Sequence, residues 1–164
     1  MQTYMYFALQ NRRIQFRLLS IGALWMLAAL MEYAVMRQPG NAWFLPVDWR
    51  LRFSALPIQQ ITAEFPILAQ TIAASILGVW LLKCSRGGAF VVTGLCVFTE
   101  MIYEFSQKPA VSSWLVPMIP SVWPLNYVAR FIGLGTFSLD HVMAIVLGGL
   151  ISYLVVLNTI PKKR

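Results

Sequence analysis

The sequence has few charged residues for its length. Asp, Glu, Lys and Arg make up 12% of the 164 positions, whereas apolar residues make up 59%. A soluble domain carries about twice that share of charge, because its surface has to be hydrated. A bilayer imposes no such requirement. The composition therefore predicts an all-α integral membrane protein, a polytopic bundle whose first partner is the lipid bilayer.

Several kinds of site are missing from the sequence. Cys84 and Cys96 are too few for a disulfide framework, and His141, the only histidine, cannot make a histidine-rich metal site. The zinc-peptidase, esterase, phosphate-loop and C-x-x-C motifs do not occur. We therefore expect no metal and no cofactor. No catalytic residue is assigned, and whether the chain is an enzyme stays open.

Four apolar runs are long enough to cross a bilayer, which takes about 20 residues per helix. We place the spans at 18–36, 66–82, 89–106 and 139–160, within a single transmembrane domain over 1–164. The second and third runs are separated only by residues 83–88, which predicts a tight helical hairpin.

Two long connections between the spans are rich in aromatic residues. Each of the segments 40–65 and 108–138 contains two tryptophans, and the second also contains four prolines. Aromatic side chains favour the headgroup layer, so we expect both loops to be interfacial or re-entrant. Proline interrupts a helix, so 110–128 is not predicted as a fifth span although it is apolar.

The basic residues predict an orientation, because Lys and Arg concentrate on the cytoplasmic side of membrane proteins. With the N-terminus inside, eight lie on the cytoplasmic side: Arg12, Arg13, Arg17, Lys83, Arg86, Lys162, Lys163 and Arg164. Five lie outside: Arg37, Arg50, Arg52, Lys108 and Arg130. We predict a multi-pass membrane protein with both termini in the cytoplasm. The net charge of +7 thus favours a membrane surface and not nucleic acid as a partner.

The acidic residues are more sharply distributed than the basic ones. All six fall in outer loops or in the outer halves of spans: Glu32, Asp48, Glu64, Glu100, Glu104 and Asp140. Glu100, Glu104 and Gln107 follow i, i+4, i+7 spacing and share one helix face. A carboxylate in hydrocarbon is costly, so this face is expected to meet the bundle interior, water or a cation. The alternative is a pair hydrated at the interface.

The fourth span begins with a ridge of small residues below an acid. The ridge consists of Asp140, Ala144, Gly148 and Ser152, and its small side chains predict close approach of a neighbouring helix. Asp140 in a first helical turn also complements the helix dipole without any further role. If the neighbour is the third span, Asp140 would meet the acidic face, with Arg130 as the compensating cation.

Two further residues are candidate additions to this cluster. His141 is adjacent to Asp140 and is expected to point to a different helix face, either as a structural residue or as a proton relay. Glu32 lies near the outer end of the first span. It either joins the cluster or reaches headgroup water.

The C-terminal half resembles the VanZ-like group of small membrane proteins and a related four-helix family of unknown function. The resemblance lies in Phe98–Gln107, in Arg130–Asp140 and in the glycine-containing helix that follows. The family pattern maps onto Glu104, Gln107, Arg130, Phe137 and Asp140, although Phe137 stands three residues before the acid and not four. The resemblance implies a bacterial inner-membrane protein linked to glycopeptide resistance, without an established reaction.

These observations lead to one expected function and two alternatives. We expect an outward-facing polar pocket, formed by Glu100, Glu104, Gln107, Arg130 and Asp140, that binds an envelope or lipid-linked substrate. The first alternative is a non-catalytic subunit that docks against other membrane proteins in a larger complex. The second is a small ion- or proton-coupled carrier, which the absence of acids on the cytoplasmic side disfavours.

Overall fold

The computed structural model describes residues 12–36 and 64–161, and within these ranges the chain is helical. The helices are α1 (Arg12–Met36), α2 (Phe65–Leu81), α3 (Arg86–Ser106), α4 (Pro109–Leu115), a 3-10 turn (Val116–Met118), α5 (Leu125–Leu134) and α6 (Leu139–Thr159). The all-α prediction is confirmed for these ranges. The predicted loop at 40–65 falls outside them except for its last two residues.

Three of the helices are long and apolar enough to cross a membrane, namely α1, α3 and α6. The remaining predicted span, the second one at 66–82, corresponds to α2, which is apolar but has only 17 residues. Its second residue is Pro66, at a position where the missing N–H removes no helical hydrogen bond. The helix ends at Leu81, and the turn that leads to α3 begins at Leu82.

The bundle is built around α2, which packs against α1, α3 and α6. Its interior contains fully buried hydroxyl groups, whereas the outward faces of the long helices are apolar. The buried polar residues include Thr71, Ser75, Thr93 and Ser152. The exposed apolar residues include Leu24, Leu27, Phe90, Leu95, Phe98, Leu147, Leu150 and Leu154. Apolar side chains outside and polar ones inside are the arrangement that a lipid solvent favours.

The predicted tight hairpin between α2 and α3 is confirmed. The backbone N–H of Cys84 donates to the carbonyl of Val79 at 3.2 Å, and that of Lys83 donates to Trp80 at 3.2 Å. These two bonds form a Schellman motif, whose residue after the helix adopts a left-handed conformation. Lys83 occupies that position with a φ of 50°. Ser85 then caps α3 through its side chain.

One end of the bundle carries basic residues, and we call it the arginine end. It is formed by Arg12, Arg13, Arg17, Lys83 and Arg86. Arg86 fixes α3 to the end of α6, because its Nε donates to the carbonyl of Ile160 and its Nη2 to that of Leu157, both at 2.7 Å. Beneath it lies an apolar cluster of Ile14, Leu18, Ile72, Ile76, Val79, Ala89, Val156 and Ile160.

The opposite end carries the acidic residues, and we call it the carboxylate end. Glu64 precedes α2, Glu100 and Glu104 lie in the last turns of α3, and Asp140 lies in the first turn of α6. These antiparallel helices therefore place four acids from distant parts of the sequence at one end. The separation of acids from the arginine end agrees with the sequence prediction within the described ranges.

The segment 108–138 contains two short helices where the sequence predicted an interfacial or re-entrant loop. No continuous helix runs through 110–128, because α4 ends at Leu115 and α5 begins only at Leu125. Three of the four prolines lie between these helices, where they prevent continuous helical hydrogen bonding. Trp114 and Trp123 are exposed on this segment.

Candidate functional site at the carboxylate end

A histidine between two carboxylates forms the centre of the carboxylate end. His141 Nδ1 lies 3.1 Å from Glu104 Oε1, and His141 Nε2 lies 3.2 Å from Glu64 Oε2. The three residues come from the start of α6, the end of α3 and the residue preceding α2. The cluster therefore connects three helices at a point where each of them begins or ends.

Glu104 is the buried member of this cluster. In addition to His141, its Oε1 accepts a hydrogen bond from the backbone N–H of Ser138 at 2.8 Å. Ser138 caps α6, since its Oγ accepts from the backbone N–H of Asp140 at 3.1 Å. Glu104 therefore holds the first turn of α6 through both the backbone and His141.

The two imidazole contacts differ in kind. The contact with Glu104 has the geometry of a hydrogen bond, whereas Glu64 Oε2 is buried and makes no well-aligned hydrogen bond at its 3.2 Å separation from His141 Nε2. Each ring nitrogen either carries a hydrogen or accepts one, depending on the tautomer. The cluster can therefore hold or pass on a proton.

Glu100 lies one helical turn deeper than Glu104 on the same face of α3. Its Oε2 is within hydrogen-bonding distance of Thr71 Oγ1, which also lies 2.9 Å from the carbonyl oxygen of Ile67. Thr71 has one hydroxyl hydrogen and two neighbouring acceptors. Both contacts are hydrogen bonds at the same time when the Thr71 hydroxyl donates to the carbonyl of Ile67 and accepts a hydrogen from a protonated Glu100 carboxyl.

The polar contact between α2 and α3 continues inward by one further turn. Ser75 faces the thiol of Cys96, which is a weak hydrogen-bonding partner. Within the described ranges, neither the Ser75 hydroxyl nor the buried Thr93 hydroxyl has a standard hydrogen-bond partner. We use the name polar seam for Thr71, Ser75, Thr93, Cys96 and Glu100. Unsatisfied buried hydroxyls are costly and are consistent with a functional interior.

The structure corrects the expected role of Asp140. If the fourth span packed against the third, Asp140 was expected to contact Glu104 and Gln107 with Arg130 as the cation, but Asp140 and Arg130 are both exposed. The group beside Glu104 is His141. Neighbouring residues on a helix point about 100° apart, so the rotation that turns His141 toward α3 turns Asp140 away. Arg130 forms no ion pair with any residue in 12–36 or 64–161.

The inward orientation of His141 could have been predicted from the sequence. His141, Ala144, Ile145 and Gly148 follow i, i+3, i+4, i+7 spacing, and the last three are buried. This spacing places the histidine on the inward face of α6. Glu64 carries no comparable signal, since its approach to His141 depends on how α2 packs against α6. The side chain of Glu32 lies outside the described residues.

The ridge of small residues on α6 is buried and faces α2. Ala144, Gly148 and Ser152 are all buried. A Cβ added at Gly148 would lie 2.9 Å from Thr71 Cβ and 3.0 Å from the carbonyl oxygen of Leu68. The helix that approaches Gly148 is therefore α2, and not the third span, which was the neighbour weighed from the sequence. Gly149, one residue further, faces α3.

Two more residues at this end make contacts that the sequence did not indicate. Gln107 is buried, and a side chain at Gly135 would overlap its amide group, so this glycine makes room for it. The ammonium of Lys108 lies 4.6 Å from the ring centre of Phe105 and 4.5 Å from that of Phe137. Such cation–π contacts hold a positive charge at a fixed position.

Comparison with known proteins gives no assignment. No protein-family model matches the chain, and neither a curated protein nor a solved structure matches it. Within residues 12–36 and 64–161, no three metal-ligating side chains are arranged to hold a metal ion. The chemistry of the cluster itself is therefore the basis for assigning a function.

Proposed function

We propose that the chain is a bacterial inner-membrane protein that spans the bilayer four times with both ends in the cytoplasm. The helices α1, α2, α3 and α6 would be the spans. At 1.5 Å per residue, α2 is about 25 Å long, close to the thickness of the hydrocarbon core. The basic residues of the arginine end support a cytoplasmic location for that end. The carboxylate end would then face outward.

The proposed role of the carboxylate end is to bind an envelope or lipid-linked substrate. The observation that carries this proposal is the convergence of Glu64, Glu104 and His141 from three helices. Ionisable groups are costly within a membrane bundle and are usually retained for function. Here Glu64 and His141 are partly exposed at the ends of helices, where a ligand from the outer leaflet would reach them.

The neighbouring residues fit the chemistry of a lipid-linked substrate. Carboxylates accept hydrogen bonds from sugar hydroxyls, and cations such as Lys108 and Arg130 attract phosphate. The exposed rings of Trp114 and Trp123 suit the headgroup layer. The resemblance to the VanZ-like group, which includes Glu104 and Gln107, supports the same class of substrate.

Lipid co-purification tests this function. We would purify the wild type and the Glu104→Gln and His141→Gln variants from bacterial membranes, and identify the retained lipids by mass spectrometry. We expect an envelope or lipid-linked species to be enriched with the wild type and depleted in both variants. Thr99→Val is the control, because Thr99 is exposed on α3 and its hydroxyl bonds only to its own helix. Identical lipid profiles in all four proteins would refute the proposal.

A second candidate function is that of a non-catalytic subunit in a larger membrane complex. The observation that favours it is the exposed apolar surface of the segment 109–128. That surface consists of Val111, Trp114, Met118, Val122, Trp123, Leu125 and Val128. Mild solubilisation followed by native electrophoresis separates the two candidates. A stoichiometric complex that is lost in Trp114→Ser and Trp123→Ser but kept in Glu104→Gln would favour the subunit.

A further inference from the structure

The groups of the central cluster form a row along which exposure to solvent decreases. The side chain of Glu64 is 35% exposed, that of His141 is 23% exposed and that of Glu104 is 4% exposed. Each group contacts the next at 3.2 Å or less. A row of titratable groups with this gradient connects the surface of the carboxylate end to the bundle interior.

The polar seam begins one helical turn from the inner end of this row. Glu100 follows Glu104 at i−4, a spacing that places the two side chains about 5–6 Å apart at Cβ, close enough for one bridging water or a rotamer change. Glu100 contacts Thr71, and the Ser75 hydroxyl one turn further is fully buried and without a standard hydrogen bond. Because its neighbour there is the weakly hydrogen-bonding thiol of Cys96, this hydroxyl has hydrogen-bonding capacity to spare.

We propose that this row is a proton inlet that opens at the carboxylate end and terminates at a proton held by Glu100. A proton from water binds Glu64 and passes to Nε2 of His141, while the proton on Nδ1 passes to Glu104. The imidazole then exchanges its tautomer, so no bond other than N–H and O–H changes. Glu104 delivers the proton to Glu100, whose neutral carboxyl donates to Thr71 and satisfies both contacts of that hydroxyl.

The inlet ends within the bundle. One turn nearer the arginine end than the polar seam, the apolar cluster contributes Val79, Ala89 and Val156, which are fully buried. None of these side chains can accept or donate a proton. Among the described residues, no polar relay crosses the cluster, so the proton exchanges with one side only. This distinguishes an inlet from a transport path.

Among the described side chains, the charges around the row come from several elements at this end. The titratable and charged groups are Glu64 before α2, Cys96, Glu100 and Glu104 on α3, Lys108 before α4, Arg130 on α5, and Asp140 and His141 on α6. Of these, His141 is the residue that contacts two of the acids, Glu64 and Glu104, among the described residues. Its replacement should therefore interrupt the row between these two acids.

Infrared spectroscopy of the full-length protein in lipid nanodiscs tests the inlet independently of any substrate. We expect a carbonyl stretch of a protonated carboxyl at neutral pH that Glu100→Gln abolishes. On transfer to deuterated buffer, the shift of this band should be slower by roughly 10²-fold in His141→Gln, the typical contribution of one proton-transferring group. Glu64→Gln should also slow it, and Thr99→Val should leave it unchanged.

The outcomes separate the inlet from simpler explanations. Absence of the Glu100 band in the wild type at neutral pH would overturn the proposal, and so would an unchanged exchange rate in folded His141→Gln and Glu64→Gln. Glu64 is the most exposed of the three groups, so its variant remains informative if His141→Gln fails to fold. In oriented proteoliposomes, a pH jump at the carboxylate end should move the band, and a response only to the arginine end would refute one-sided access.

Discussion

His141 Nδ1 lies 3.1 Å from Glu104 Oε1, which joins the first turn of α6 to the last turns of α3. The same oxygen accepts the backbone N–H of Ser138, so one carboxylate determines where α6 begins and which way His141 points. The packing of α6 and the proposed proton transfer thus both depend on the carboxylate of Glu104. Variants at this position need a stability measurement beside any functional one.

Replacement of Glu104 by Ala should destabilise the bundle by about 1–3 kcal/mol, the cost of unpairing a buried hydrogen-bonding group. Ala leaves the N–H of Ser138 without an acceptor, whereas Gln keeps an amide oxygen there and should cost less. Chemical unfolding in mixed micelles measures both. Thr99→Val is the control, and equal stability of Glu104→Ala and wild type would contradict the assigned hydrogen bonds.

Replacement of Gly148 by Ala should weaken the contact between α6 and α2. The added methyl group would meet Thr71 Cβ at 2.9 Å and the Leu68 carbonyl at 3.0 Å, so the helices must separate, at a cost of about 1–3 kcal/mol. Gly94→Ala is the matched control, because nothing lies within 4 Å of its added Cβ. Thermal unfolding should rank Gly148→Ala below Gly94→Ala, and the reverse order would contradict the packing.

Replacement of Lys83 by Gly should stabilise the α2–α3 hairpin. Lys83 has a φ of 50°, a left-handed conformation that costs a residue with a Cβ about 1 kcal/mol relative to Gly. Lys83→Ala removes the charge but keeps the Cβ, so it should give no such gain. Comparison of the two unfolding free energies separates backbone conformation from charge. A gain with Ala equal to that with Gly would attribute the effect to charge.

Replacement of Arg86 by Met should loosen the end of α6. The guanidinium donates to the carbonyls of Ile160 and Leu157, and hydrogen bonds from a charged group contribute about 1.5–3 kcal/mol. Lys keeps the charge but cannot donate in the same two directions, so Arg86→Lys should lie between Met and wild type. Hydrogen exchange in the last turn of α6 measures the effect. Unchanged protection in Arg86→Met would show that the cap is dispensable.

Labelling of Cys84 by a maleimide should require a higher pH than labelling of an exposed thiol. Burial raises the pKa of the Cys84 thiol, so less of it is thiolate at a given pH and labelling should be slower than for an exposed thiol. A Cys84→Ser, Gly87→Cys variant supplies that exposed thiol at the same end, with Cys96→Ala in both proteins. Equal rates across the pH range would contradict the burial. A membrane-impermeant reagent on intact cells also tests the proposed cytoplasmic location.

Much of the fold followed from patterns that act over short distances. The apolar runs predicted the long helices, and the short polar segment 83–88 predicted the hairpin. Prolines excluded a continuous helix through 110–128, because each removes an N–H donor locally. The short helices α4 and α5 were not predicted, because the same prolines and aromatic rings are compatible with loops and with single helical turns.

The site was only partly predictable, for a different reason. The i, i+4 spacing of Glu100 and Glu104 placed them on one face, but it could not indicate which helix covers that face. Glu64 is separated from His141 by nearly half of the chain, and their 3.2 Å contact arises from the packing of α2 against α6. No spacing in the sequence encodes such a contact.

The sequence by itself determined that this protein is apolar and helical, and that the described acids lie at the end of its helices opposite the arginine end. These properties follow from composition and periodicity, which act within one helix. Only the tertiary structure decided that His141 and not Asp140 faces Glu104, and that α2 and not α3 approaches Gly148. Both outcomes depend on the rotation of α6 about its axis, which is set by side-chain packing among three helices at once.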